Sequence, residues 1–126
     1  MTLPTAVADL ISVNVVGAPG TATFTLGTAI SGYRAFAGNI ADGTQVTYGA
    51  SDGVNSEVSR GTLGSSGTAL TRGEAAIAGT NGTSLVNFTA SGVVVSLVFA
   101  GPDFSELISD VNTLLAGANT IDGGTF

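Results

Sequence analysis

Short apolar runs, each ended by a cluster of turn-forming residues, constrain the fold of this 126-residue chain more than any other feature. The clusters consist of Gly, Asp, Asn, Ser and Thr, and 19 residues of the chain are Gly. Strands joined by tight turns have this pattern, because their turns need residues that tolerate unusual backbone angles. The sequence therefore predicts a mainly β fold, a compact antiparallel sandwich or barrel of about seven to nine strands.

Individual runs show where the strands are expected. In the run 57–63, Val58 is the expected inward-facing residue. Asn81 and Gly82 favour a tight turn, because both residue types adopt positive φ readily. The expected strands cover residues 10–16, 21–26, 33–37, 45–48, 57–63, 69–72, 75–78, 85–89 and 93–100.

The apolar period changes near the C-terminus and predicts a short α-helix over residues 103–116. Asp103 is a candidate N-cap, with Glu106 three residues later as in a capping box, and Gly117 is a candidate C-cap. Apolar residues recur at three- and four-residue intervals along one face of this helix: Phe104, Leu107, Ile108, Val111, Leu114 and Leu115.

The chain is thus expected to form an N-terminal arm (1–9), a β-domain (10–101) and a C-terminal helix with a flexible tail (102–126). An isolated helix of this length is marginal in water, so its apolar face must be covered. That face either packs on its own β-domain or packs against copies from neighbouring subunits around a symmetry axis. The apolar residues are compatible with both arrangements.

Composition excludes many kinds of chemistry. The chain has no Cys, His, Lys or Trp, which removes disulfides, thiol nucleophiles, imidazole bases and the usual zinc or haem ligands. Three Arg against nine acidic residues give a net charge of −6, which argues against binding to nucleic acid or to anionic membranes. No apolar run approaches the roughly 20 residues of a membrane-spanning helix. We expect no enzyme activity, no cofactor and no resident metal.

Carboxylates in turns are the remaining candidates for chemistry. Asp42 and Asp52 each precede Gly, where an Asp side chain commonly accepts hydrogen bonds from its own turn. Asp52 and Glu57 are an unsupported candidate acid–base pair for a glycosidase. Asp52, Asn55 and Glu57 are a candidate calcium site, although the regular twelve-residue loop pattern is missing.

Two of the three arginines have an expected structural role. Arg60 and Arg72 each lie in an expected strand of a half-buried β-domain. There they can pair with carboxylates or donate to carbonyl groups between strands.

Several short stretches of turn and strand residues follow one another in a characteristic order: Ser31–Phe36, Asp42–Tyr48, Ser51–Gly53, Glu57–Thr62, Ala69–Arg72, Asn81–Gly82 and Val86–Phe88. Over about residues 26–100, this ordered set resembles a small β-rich module that recurs in virion proteins of tailed bacteriophages and gene-transfer agents. Within that pattern, Ser59 stands where Gly is preferred and Leu63 where Tyr or Trp is frequent. The resemblance implies that Tyr33, Phe36 and two further aromatic residues, Tyr48 and Phe88, supply core area.

The resemblance implies a structural protein of the phage particle, with no catalytic residues to carry over. A homotrimeric fibre, spike or baseplate-associated protein is the leading expectation, with the C-terminal helix as the trimerising element and host-surface glycans and other virion proteins as partners. A capsid decoration protein that clamps the head lattice, with the arm 1–9 ordered on the capsid, is the first alternative. A carbohydrate-binding module is the second, although the lack of Trp argues against a sugar platform.

Overall fold

The computed structural model describes residues 10–98 and 100–121. Over these residues the chain forms seven strands and then one helix, so the predicted mainly β fold with a C-terminal helix is confirmed. The expected arm at 1–9 and tail at 122–126 lie outside the described residues. The elements are β1 (Ser12–Val15), β2 (Phe24–Ala29), β3 (Gln45–Ser51), β4 (Ser56–Gly64), β5 (Ala69–Arg72), β6 (Ala78–Gly79), β7 (Val94–Leu97) and α1 (Gly101–Ile121).

Six of the strands close into an antiparallel barrel. Their order is β3-β7-β1-β2-β5-β4, and pairing of β3 with β4 completes the ring. The two-residue strand β6 pairs with β4 outside the ring. Of the two architectures that the sequence left open, the barrel is therefore the one that forms. Closure removes the free strand edges through which β-proteins aggregate.

The barrel interior is filled by the inward-facing residues of each strand. In β1, Val13 and Val15 are buried and Asn14 between them is exposed. The rings of Phe24 and Tyr48 meet edge to face, with their centroids 5.6 Å apart. Complete burial of such side chains stabilises the fold by about 1.5–3 kcal/mol each, so the aromatic cluster is a large part of the core energy.

The segment expected to form a strand at 33–37 does not form one. A turn closes before it, where the Tyr33 amide donates to the Ile30 carbonyl, and Arg34 pairs with Ile11 through an isolated bridge instead of a strand. Tyr33 is 49% exposed, so its expected place in the core is wrong, whereas Phe36 is fully buried as expected.

The segment expected at 85–89 is likewise irregular. Phe88 forms an isolated bridge with Gly20, and its ring is fully buried beside Phe24, with the centroids 6.1 Å apart. Phe88 and Tyr48 thus occupy the core as predicted, but Phe88 enters it from a loop. Apolar pattern alone does not separate a strand from a loop that inserts one large side chain.

A close approach between strands explains the Gly within β4. A Cβ atom at Gly61 would lie 2.7 Å from the Thr71 carbonyl oxygen and 3.2 Å from a ring carbon of Tyr48. Gly61 pairs with Val46 on one side and Arg72 on the other, so both neighbouring strands are fixed around it. Gly in a strand interior often marks such a contact.

Helix α1 begins at Gly101, two residues before the predicted start. Asp103 does not serve as the N-cap. Its Oδ2 accepts a hydrogen bond of 2.9 Å from the amide of Ala100, which precedes the first helical residue. This is the back-reaching half of a capping box, made from the third helical position. The helix continues through Gly117 to Ile121, so the predicted C-cap at Gly117 is wrong, because one Gly weakens a helix by about 1 kcal/mol without ending it.

Candidate assembly surface

The strand register directs an acidic and a basic side chain into the barrel. In β4, Glu57 pairs with Ala50, whose side chain is buried in the core, and in β5 Arg72 pairs with Gly61. Residues paired across strands share a face of the sheet, so Glu57 faces inward and the next residue, Val58, faces outward. The expectation that Val58 is the inward residue of this strand is therefore wrong.

Both carboxylate oxygens of Glu57 are fully engaged. Oε1 accepts hydrogen bonds from Arg72 Nη2 at 2.5 Å and from the Val86 amide at 2.7 Å. Oε2 accepts from Arg72 Nε at 3.1 Å and from the Tyr48 hydroxyl at 2.7 Å. The side chains of Glu57 and Arg72 are 0% and 1% exposed, so this charge pair is shielded from solvent.

The guanidinium of Arg72 also binds loop carbonyls. Nη1 donates to the carbonyls of Gly20 and Ala22, at 2.8 and 3.4 Å, and Nη2 donates to that of Val86 at 2.7 Å. The central guanidinium carbon, Cζ of Arg72, lies 4.7 Å from the centroid of the Phe24 ring, within cation–π range. The predicted pairing of Arg72 is confirmed. Through these hydrogen bonds Arg72 holds the loop at Gly20–Ala22 and the loop at Val86 against the barrel. Neither the Arg72 charge nor the Glu57 charge is directed towards a ligand.

Burial raises the pKa of the Tyr48 hydroxyl, and the hydrogen bond to Glu57 raises it further. Tyr48 therefore remains a protonated donor across the ordinary pH range. It serves the buried ion pair as a fixed hydrogen-bond donor.

Asp52 has a local structural role, as its sequence context predicts. Its Oδ1 accepts hydrogen bonds from the amides of Asn55, at 2.7 Å, and Val54, at 2.9 Å, and these bonds hold the pKa of the carboxyl below its ordinary value. Glu57, in contrast, directs its carboxylate into the barrel. The candidate acid–base pair Asp52–Glu57 and the candidate calcium ligands therefore do not converge. Among the residues that the structure describes, no three acidic side chains cluster as metal ligands would.

Asp42 supports a different turn from its own. Its two carboxylate oxygens accept hydrogen bonds from the amides of Ser66, at 2.7 Å, and Gly67, at 2.9 Å, in the loop between β4 and β5. Ser65 and Ser66 have φ of 53° and 57°, a region that non-glycine residues rarely adopt. Consecutive amides in this conformation form a concave anion-binding site, and Asp42 fills it from within the chain.

Most of the large apolar side chains that are exposed among the described residues lie on one face of α1. Its six side chains keep between 44% and 72% of their surface exposed: Phe104, Leu107, Ile108, Val111, Leu114 and Leu115. At 3.6 residues per turn they cover an arc of about 120°, wider than the seam of a two-stranded coiled coil. Contiguous exposed apolar patches of this kind mark interaction surfaces.

Comparison with known proteins identifies no relative: no family model, no curated protein and no solved structure matches this chain. Within 10–98 and 100–121, no helix has both the length and the hydropathy needed to cross a bilayer. Function is therefore inferred from the side chains of this chain, above all from the exposed apolar face of α1.

Proposed function

We propose that this chain is a structural subunit of a bacteriophage particle, a homotrimeric fibre, spike or tail-tip protein whose helix α1 is the assembly element. The single observation that carries the proposal is the row of large apolar side chains exposed along α1. The phage assignment is supported by the ordered resemblance of residues 26–100 to virion modules. The Glu57–Arg72 pair supports a structural role, since these two buried charges bind each other and stabilise the barrel.

The energetics of the exposed face favour association of several copies. Complete burial of a large apolar side chain is worth about 1.5–3 kcal/mol, so burial of the exposed half of six of them is worth about 6 kcal/mol per chain. A trimer forms in two association steps, each of which costs an estimated 4–15 kcal/mol. Three helices that bury their faces together gain about 18 kcal/mol before these costs. The gain is therefore of the same order as the total cost of association.

A trimer would also explain how a chain with few charged residues contributes to attachment. Charged residues make up 10% of the chain, and interface cores are depleted in charge. Three identical copies at a tail tip would multiply weak contacts with a host surface, because linked sites bind with higher avidity than single ones. Such a role requires no cofactor.

The assembly role is tested by the solution mass of matched variants. The test variant carries Leu107→Asp and Leu114→Asp on the apolar face. The control carries Ser109→Asp and Thr113→Asp, which add the same charge to exposed positions on the opposite side of the helix. We expect native mass spectrometry to show trimers for the wild type and the control and monomers for the test variant. A monomeric wild type, or a test variant that remains trimeric, would contradict the proposal.

The place in the particle is tested by immunogold electron microscopy with antibodies against the recombinant chain. Labelling of the tail tip or fibres of phage encoding this protein is the expected result. Labelling of the head lattice would replace it with a decoration role, and unlabelled particles would contradict a virion role altogether. A tight monovalent sugar ligand on a glycan array would instead favour a carbohydrate-binding module.

A further inference from the structure

The two flanks of the apolar face on α1 differ in charge. On one flank lies the exposed Asp110, and on the other lie the exposed Ser105 and Asn112. At 3.6 residues per turn, Asp110 and Asn112 lie about 100° to either side of the centre of the face, near Val111, and only about 3 Å apart along the helix axis. The helix carries no Lys, Arg or His on either flank. The face is thus bordered by an acidic side and by a neutral, hydrogen-bonding side.

This asymmetry separates the two ways in which copies of α1 can pack. In an antiparallel pair, like flanks meet, so that Asp110 of each helix would approach the acidic flank of the other. Like charges brought together at an interface are destabilising. In a parallel arrangement, unlike flanks meet at nearly the same height, so that Asp110 lies beside Asn112 of the next copy. The amide of Asn112 can donate a hydrogen bond to a carboxylate.

We infer that the occupant of this face is a second and a third copy of α1, packed parallel and in register. The inference deepens the proposed assembly role and rests on it. The arc of about 120° matches a helix that contacts two neighbours at once, since a two-stranded seam needs a narrower stripe. Parallel packing brings the N-terminal ends of the three helices to the same end of the bundle. A ring of three equivalent outward surfaces is the geometry that a tip or spike requires for multivalent contact.

Single thiols test the orientation, because the chain contains no Cys of its own. Phe104→Cys places one thiol in the first turns of the apolar face, and Ser109→Cys places one on the opposite side of the helix as the matched control. Leu115→Cys lies about 16 Å further along the axis. Each protein is treated with a bis-maleimide that spans about one helix diameter, or about 10 Å, and the products are resolved on a denaturing gel. A mixture of the Phe104→Cys and Leu115→Cys chains, unfolded and refolded together, is treated in the same way.

We expect the Phe104→Cys chain to shift to the size of two linked chains, the Ser109→Cys chain to remain single, and native mass spectrometry to show three chains in both. Linkage only in the mixture of Phe104→Cys and Leu115→Cys would overturn the parallel arrangement. An oligomer in which neither the Phe104→Cys chain, nor the Leu115→Cys chain, nor their mixture is linked would overturn the contact between helices. A native mass of two chains would overturn the three-helix count. A monomer in every sample would instead refute the assembly role itself, so the two failures are distinguishable.

Discussion

The guanidinium of Arg72 and the carboxylate of Glu57 form a two-pronged ion pair inside the barrel, with Nε–Oε2 and Nη2–Oε1 distances of 3.1 and 2.5 Å. Geometry of this kind is the strongest that charged side chains make. Burial of such a pair carries a desolvation cost that only complete hydrogen bonding offsets. Here the Tyr48 hydroxyl, the Val86 amide and loop carbonyls complete it. The pair therefore determines how the loops close on the barrel.

Removal of one partner should destabilise the protein strongly. Glu57→Gln leaves the Arg72 charge buried without its counter-ion, and Arg72→Met leaves the Glu57 charge. We expect each variant to lower the free energy of unfolding by about 3–5 kcal/mol in urea titrations. Glu74→Gln, at an exposed acidic position, is the control and should change it by less than about 0.5 kcal/mol. The double variant Glu57→Gln with Arg72→Met should lose much less than the sum of the single losses, and additive losses would show that the pair is not coupled.

Stability should fall at alkaline pH because of Tyr48. Its folded pKa is raised, whereas an unfolded Tyr ionises near 10. A raised pKa contributes stability that is present below about pH 10 and is lost as the pH rises towards the folded pKa. We expect the urea midpoint of the wild type to hold up to about pH 10 and to decline as the pH rises beyond it. Tyr48→Phe should cost about 1–2 kcal/mol at pH 8, through the lost hydrogen bond, and should show a shallower alkaline decline. Equal declines in the two proteins would remove Tyr48 as the cause.

Two glycines of the same strand should respond differently to an added methyl group. At Gly61 the new Cβ would lie 2.7 Å from the Thr71 carbonyl oxygen, whereas at Gly64 no atom lies within 4 Å. We expect Gly61→Ala to lower the free energy of unfolding by about 1–3 kcal/mol, because β4 and β5 must separate. Gly64→Ala should be neutral or slightly stabilising, since it restricts the unfolded chain. Equal effects in chemical denaturation would show that the strands are not closely packed at Gly61.

Strand alternation and turn residues predicted the β fold and most of its strands, but they could not predict how the ring closes. Closure depends on the pairing of β3 with β4 and of β3 with β7, and the second of these joins segments far apart in the chain. Nor did polarity reveal Glu57 as an interior residue, because a charged side chain in a strand is ordinarily assigned to the solvent face. A signal was present, since Glu57 has the same parity as Leu63, and Arg72 the same as Leu70. The helical period near the C-terminus, in contrast, predicted all six residues of the exposed face, because that period depends on local spacing alone.

The loop between β4 and β5 should gain stability when its strain is relieved. Ser66 has a φ of 57°, which costs a non-glycine residue about 1–2 kcal/mol, and Asp42 offsets this by accepting hydrogen bonds from the Ser66 and Gly67 amides. Ser66→Gly should therefore raise the free energy of unfolding by about 0.5–1 kcal/mol, after the larger entropy of an unfolded Gly is subtracted. Ser91→Gly, at an exposed position with ordinary φ, is the control and should lower it by a similar amount. Asp42→Ala should cost about 1–3 kcal/mol, because the Ser66 and Gly67 amides lose the carboxylate, and Gly67 keeps only its hydrogen bond to the Gly64 carbonyl. Thermal and urea unfolding of the three variants measure these changes, and a loss of stability in Ser66→Gly that matches the control would show that the turn is unstrained.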